Sequence, residues 1–297
     1  MDRRVVTLLA LAAAARSAAA DPAADPPALG EVLRRPVHSP RLFAMPSADV
    51  VGAYMLSLSG DASLLAQPGV LTSAGVLAIG FGDIAQLEYR HTEAIGVTGL
   101  DAPVPAIGVQ LKLPLPEHSG VPAIGIAFRL GVPRRETIDG RSVDETVTDL
   151  YLVGRLRYAA VPWLTLHGGT RISSAKAQPA DPALAQHRTL VLPTAGYELA
   201  MTPRAKIVGE IALAPQFQWK PAGSARPAIG RGLLGRLGMR WQVVPSVVLD
   251  GSLGYQIDDA APSDGFDAVV TWDIRLGAEV FVPWGALACR AVGVFCE

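Results

Sequence analysis

Between residues 50 and 281 the chain alternates apolar and polar residues with a period of two, in stretches of about ten residues broken by Gly, Pro and Asp clusters. A period of two sends successive side chains to opposite faces of an extended strand. About 9 to 11 residues is the length that carries a strand across a membrane, whereas strands of soluble domains average about 5 to 6. Twelve strands are predicted, at residues 50–59, 73–81, 84–92, 105–113, 122–132, 147–158, 163–173, 189–201, 206–218, 232–243, 247–257 and 267–281. No amphipathic helix of convincing length and no apolar run of 18 residues competes with them.

The connections sort into two kinds. Residues 60–72, 93–104, 133–146, 174–188, 219–231 and 258–266 are long and rich in Gly, Pro and charge. Those between are tight, at residues 82–83, 159–162, 202–205 and 244–246, with 114–121 the one longer exception. Short turns at one end and long loops at the other describe an antiparallel up-and-down transmembrane β-barrel, and an even strand number puts both termini on the side of the short turns. A soluble sandwich has no reason to sort its connections in this way.

The two faces of the predicted strands differ in chemistry. Glu88 and Arg90 oppose Leu87 and Tyr89, Lys112 opposes Val109 and Leu111, and Arg129 opposes Phe128 and Leu130. Asp149, Arg155 and Arg157 oppose Leu150, Leu152 and Leu156, while Glu210 opposes Ile211 and Leu213. Arg236 and Arg240 oppose Leu237, Met239 and Trp241, and Asp273 and Arg275 oppose Trp272, Ile274 and Leu276. Arg171 and Glu198 extend the polar set, as do Lys206, Asp250, Asp267 and Glu279. A soluble all-β domain alternates too, with the apolar face inward. The length of the strands, the apolarity of one face and the aromatics near strand ends favour lipid outside: Tyr54, Phe81, Tyr89, Tyr158, Trp163, Phe217, Trp219, Trp241, Tyr255 and Phe281.

The ends of the chain fix the compartment. Arg3 and Arg4 precede an apolar stretch at residues 5–15 and the small residues Ser17, Ala18, Ala19 and Ala20, the layout of a signal peptide cleaved after residue 20. Residues 21–47 are Pro-rich, and read as a periplasmic linker or as a plug for the lumen, since Arg34, Arg35, His38 and Arg41 make the stretch locally basic. Residues 48–282 form the barrel and 283–297 a periplasmic tail, in which Cys289 and Cys296 are expected to form a disulfide. A net charge of -1 with no basic block argues against nucleic acid as a partner.

The signal peptide, the run Gly80 to Arg90 and the closing run Trp272 to Phe281 resemble the hairpins of porin-like outer-membrane β-barrel proteins of Gram-negative bacteria. The resemblance implies a location in outer-membrane lipid and a narrow pore for passive passage of small solutes. Two alternatives stay open: a non-conducting structural barrel, whose inward charges pair and seal it, and a soluble periplasmic β-protein that binds a ligand. Ten inward cations against eight carboxylates is too small a surplus to set ion selectivity. Chemistry is not expected. No His is followed two residues later by Ser, the spacing at which hydrolytic barrels hold an imidazole against a hydroxyl, and no metal or phosphate-loop motif or cofactor signature occurs. The residues of consequence are therefore the inward charges rather than a catalytic set.

Overall fold

Antiparallel pairing closes this chain on itself. The computed structural model describes residues 39–66, 71–95, 106–115, 120–138, 141–219, 227–259 and 270–292. The predicted signal peptide and most of the Pro-rich stretch lie outside them, as does Asp267. The strands are β1 (Leu56–Ala66), β2 (Leu71–Phe81), β3 (Ala85–Ile95), β4 (Ala106–Lys112), β5 (Ala123–Gly131), β6 (Arg134–Ile138), β7 (Arg141–Arg157), β8 (Leu164–Pro179), β9 (Gln186–Thr202), β10 (Ala205–Trp219), β11 (Pro227–Val244), β12 (Val247–Asp259) and β13 (Val270–Val282). Each strand pairs with its sequence neighbours except at two places. β1 pairs with β13, which closes the ring, and β5 pairs with β7, so that short β6 only lengthens the hairpin of β7 beyond the ring. Twelve strands thus form a closed up-and-down barrel with no free edge, as the alternation predicts.

Side-chain exposure states which solvent each face meets. On β7, Leu150 and Leu152 are 41% and 51% exposed, whereas Tyr151 between them is 4% and Asp149 and Arg155 on either side are 6% and 4%. The same inversion runs round the ring, with Leu87, Ile107, Phe128, Leu166, Ile211, Leu237, Leu253 and Leu276 all outward. An exterior this apolar is stable only against lipid, and closing the ring lets neighbouring strands pair their backbone groups there. The wall is therefore a transmembrane β-barrel whose outer face meets lipid.

The tight turns lie at one end, with exposed Tyr54, Phe81, Tyr158, Trp163 and Trp241 beside them, an aromatic belt at the interface of the short-turn side. The β2–β3 turn shows how closely the chemistry is matched: Gly82 and Asp83 have φ of 60° and 55°, the two positive angles that a type I′ hairpin requires. Two predicted belt members do other work. Phe281 is on the inward face and 2% exposed, because the period of β13 pairs it with inward Glu279, and Phe217 is half-buried in an internal apolar cluster.

Strand boundaries depart from expectation in an instructive way. The first strand was predicted from residue 50, but the wall begins at Leu56. Val50 and Val51 are buried inside, and the chain turns at Tyr54, whose φ is 55° and whose N–H donates to the Gly80 carbonyl. Much of the predicted long-loop sequence is strand. The expected connection at 174–188 shrinks to a turn about the short helix Pro182–Leu184, capped by the Asp181 carboxylate, and 133–146 becomes the β6–β7 hairpin. After β13 the chain leaves the wall, and Trp284–Val292 is a helix, α1. Cys289 in α1 is disulfide-bonded, and its expected partner Cys296 lies outside the described residues.

Candidate functional site

The inner face of the wall does not enclose open water. Residues 39–51 lie within the ring, folded into a small hairpin in which Leu42 N–H donates to the Met45 carbonyl and Ser47 N–H to the Pro40 carbonyl. Leu42, Met45, Ala48 and Val51 are all at most 2% exposed. The tip packs Leu42 and Met45 against Ala127, Tyr151, Val153 and Val208 of the wall.

Polar side chains from most of the circumference hold this hairpin. Glu210 on β10 accepts the N–H groups of Phe43, Ala44 and Met45 at 3.0 to 3.3 Å, three donors that the tight turn leaves without backbone partners. Arg240 on β11 donates to the carbonyl of Arg41 at 2.9 Å and to that of Leu42. Gln110 on β4 donates to the carbonyls of Pro40, Ser47 and Asp49, and Gln86 on β3 accepts from Val51 N–H at 2.8 Å. Arg155 on β7 binds the carboxylate of Asp49, with Lys112 at 3.7 Å from it. Ser39 donates to Glu279 on β13, and Arg41 to Ser59 on β1. A buried carboxylate or guanidinium facing a segment with no wall strand of its own would be costly unless each found a partner, and here most do.

The remaining inward charges pair with one another. Arg129 binds Glu88 at 2.6 Å, with both side chains 7% exposed. Arg171 binds Asp149 at 2.7 Å, joined by Ser173, and Tyr151 lies between the guanidinium carbons of Arg129 and Arg171 at 5.0 and 5.4 Å from its ring centre. Asp273 receives Arg236 at 2.8 Å and Arg275 at 3.2 Å, while Lys206 binds Glu198 at 2.6 Å. Arg157 donates to Thr165. Arg90 differs: its Nε and Nη2 are buried and make no hydrogen bond.

Above this layer the barrel narrows again. The β9–β10 pairing stops at Thr194–Ala212, beyond which β9 continues with β8 and β10 with β11. Leu190 and Leu192, on the inner face of β9, then pack with Ala175 against Ile229, Leu213 and Phe217 of the β10–β11 hairpin. That hairpin therefore overlaps the inner side of β8–β9, on the long-loop side.

Of the eighteen charges singled out in the sequence, the seventeen within the described residues fall on inward positions of the register, because a period of two cannot be lost along a strand without a bulge. What the sequence did not disclose is their partners. Asp49, Gln86, Gln110 and Tyr151 gained importance only from contacts more than twenty residues away. The alternation places Gln86 and Gln110 on the polar face with Glu88 and Lys112, without naming what they bind. A Ser–His contact exists across strands rather than at a spacing of two: Ser174 Oγ lies 2.9 Å from His187 Nε2 on the exposed outer face. No carboxylate is bonded to that imidazole among the described residues.

No family model matches the chain, and no curated protein matches it. Among solved structures it is similar to the NanC porin, at 8% identity and a TM-score of 0.44 over 76% of this chain and 98% of that one. It is also similar to the KdgM porin, at 10% and 0.43 over 76% and 98%. A third is the translocator domain of the autotransporter NalP from Neisseria meningitidis, at 14% and 0.41 over 76% and 86%. Likeness at this level says nothing about what the barrel handles.

Proposed function

We propose that this outer-membrane barrel is a narrow passage for small solutes that its own N-terminal hairpin keeps shut. The observation that carries this reading is where the wall is cut away. A Cβ added at Gly80 would come within 2.2 Å of the Val51 oxygen, at Gly125 within 2.8 Å of the Ala48 Cα, and at Gly196 within 2.3 Å of Leu42 Cδ1. Small barrels without a passage fill their interior with side chains of the wall. This wall has instead surrendered side chains under a separate segment, attached largely by hydrogen bonds that water could replace. Withdrawal of that segment would leave a channel bordered by Arg155, Glu210, Arg240 and Glu279.

A second reading, a barrel that stays shut, is favoured by the overlap of the β10–β11 hairpin at the opposite mouth. One experiment separates the two. The intact protein in a planar bilayer should show no steady current, and deletion of residues 22–51 should produce discrete conductance steps. A deletion variant that is folded, by heat-modifiable migration on a gel, and still silent would select the permanently shut barrel.

A further inference from the structure

The short-turn mouth contains a second feature, independent of whether the barrel conducts. A cavity of about 220 Å³ opens there between the β7–β8 and β9–β10 turns. Arg157, Arg204, Lys206 and Arg240 line it, and Glu198 is the one carboxylate among its walls. Asp250 stands opposite Arg240 in the β11–β12 register, so four cations meet at most two carboxylates. Glu198 is already engaged by Lys206 at 2.6 Å, with buried His167 a further 3.8 Å from its other oxygen. Arg240 spends its two terminal nitrogens on the carbonyls of Arg41 and Leu42, and its Nε is buried with no hydrogen-bond partner.

We infer that this cavity binds a small oxyanion, a phosphate or carboxylate group of a periplasmic solute. Clustered cations in a partly enclosed space repel one another and gain from a shared counter-charge. Guanidinium groups present flat donor pairs that suit two oxygens of one such group. The size admits a single small group with a few waters, and excludes an extended chain of sugars. Arg204 sits on the exposed turn and Lys206 one step inside it, so the cavity is reached from the periplasm without passing the hairpin.

The test uses the full chain folded in detergent. Inorganic phosphate titrated by calorimetry should bind with saturation, and the same ionic strength of chloride should not reproduce the heat. The double variant Arg157→Gln with Lys206→Gln should bind phosphate about tenfold more weakly or worse, as expected for losing charge-assisted bonds. Because inward substitutions can disturb folding, Arg204→Gln on the exposed turn is the second variant, and should weaken binding several-fold with the gel mobility of a folded barrel unchanged. Titration of a dicarboxylate such as succinate then distinguishes the two oxyanion classes, and saturable binding of either one that the variants weaken supports the site. Heat that matches chloride, or binding untouched by all three substitutions, overturns it. Arg240 is left intact in the test, since it also holds the hairpin.

Discussion

At the scale of single residues, Glu210 illustrates how a buried charge becomes structural. Three backbone N–H groups of the internal hairpin converge on one carboxylate, so replacing it by Gln exchanges charge-assisted bonds for neutral ones and leaves part of the donor set unmatched. The expected loss in hairpin anchoring is about 1 to 3 kcal/mol. Trypsin reports it directly: Arg41 is protected inside the ring, and Glu210→Gln should accelerate cleavage after Arg41 while the wall stays resistant. Gly80 is the matching steric test. A methyl group there meets the backbone of Val51 and Gly52, which has no flexible end to swing aside, so Gly80→Ala should also expose Arg41 to trypsin. On the outer face the same logic inverts. Leu152 is 51% exposed at mid-strand, and Leu152→Arg should cost about 2 to 4 kcal/mol in lipid vesicles unfolded by urea, because the new charge faces hydrocarbon.

Elements add a second kind of constraint, set by length. β7, β9 and β11 have 17, 17 and 18 residues, well beyond the span that hydrocarbon requires, and the surplus projects on the long-loop side. There the β8–β9 and β10–β11 hairpins leave the common register and overlap through Leu190, Leu192 and Ile229. Leu192 is fully buried, so Leu192→Ala should cost about 2 to 5 kcal/mol locally. Hydrogen exchange should show the effect as faster exchange of the outer half of β10 and β11, with β10 amides near Val208 unchanged. Sequence patterning had assigned much of this region to loops, since Gly, Pro and charge are dense there. Pairing between two long strands overrode that local preference because each supplied a continuous set of backbone partners. At the C-terminus, Cys289 belongs to α1 and not to the wall, so reductant should leave the barrel's heat-modifiable migration intact.

For the whole molecule, the ring and its contents follow different rules. The wall is held by ladder hydrogen bonds that close on themselves and by an apolar exterior matched to lipid. The contents are held by side chains that meet only after the ring has closed: Arg155 with Asp49, Glu279 with Ser39, Arg240 with Leu42. Removing the hairpin should therefore abolish closure at a modest cost to the ring, which the conductance of the deletion variant and its thermal midpoint would measure together.

The amino-acid sequence by itself determined the barrel. A period of two over strands of membrane length, with turns sorted by size, favours a lipid-facing barrel over a soluble all-β domain, and that period also assigns every inward charge, because side-chain direction along a strand is local geometry. It did not determine whether the interior is open. The Pro-rich stretch reads first as a periplasmic spacer and second as a plug, since nothing local distinguishes a Leu42 in water from one packed on Val208. The placement of residues 39–51 inside the ring rests on contacts between residues up to 240 positions apart, which exist only when closure of the ring brings β3, β4, β7, β10, β11 and β13 round the same few residues. Tertiary structure decided it because the partners' charge, shape and missing side chains complement one another across the lumen rather than along the chain.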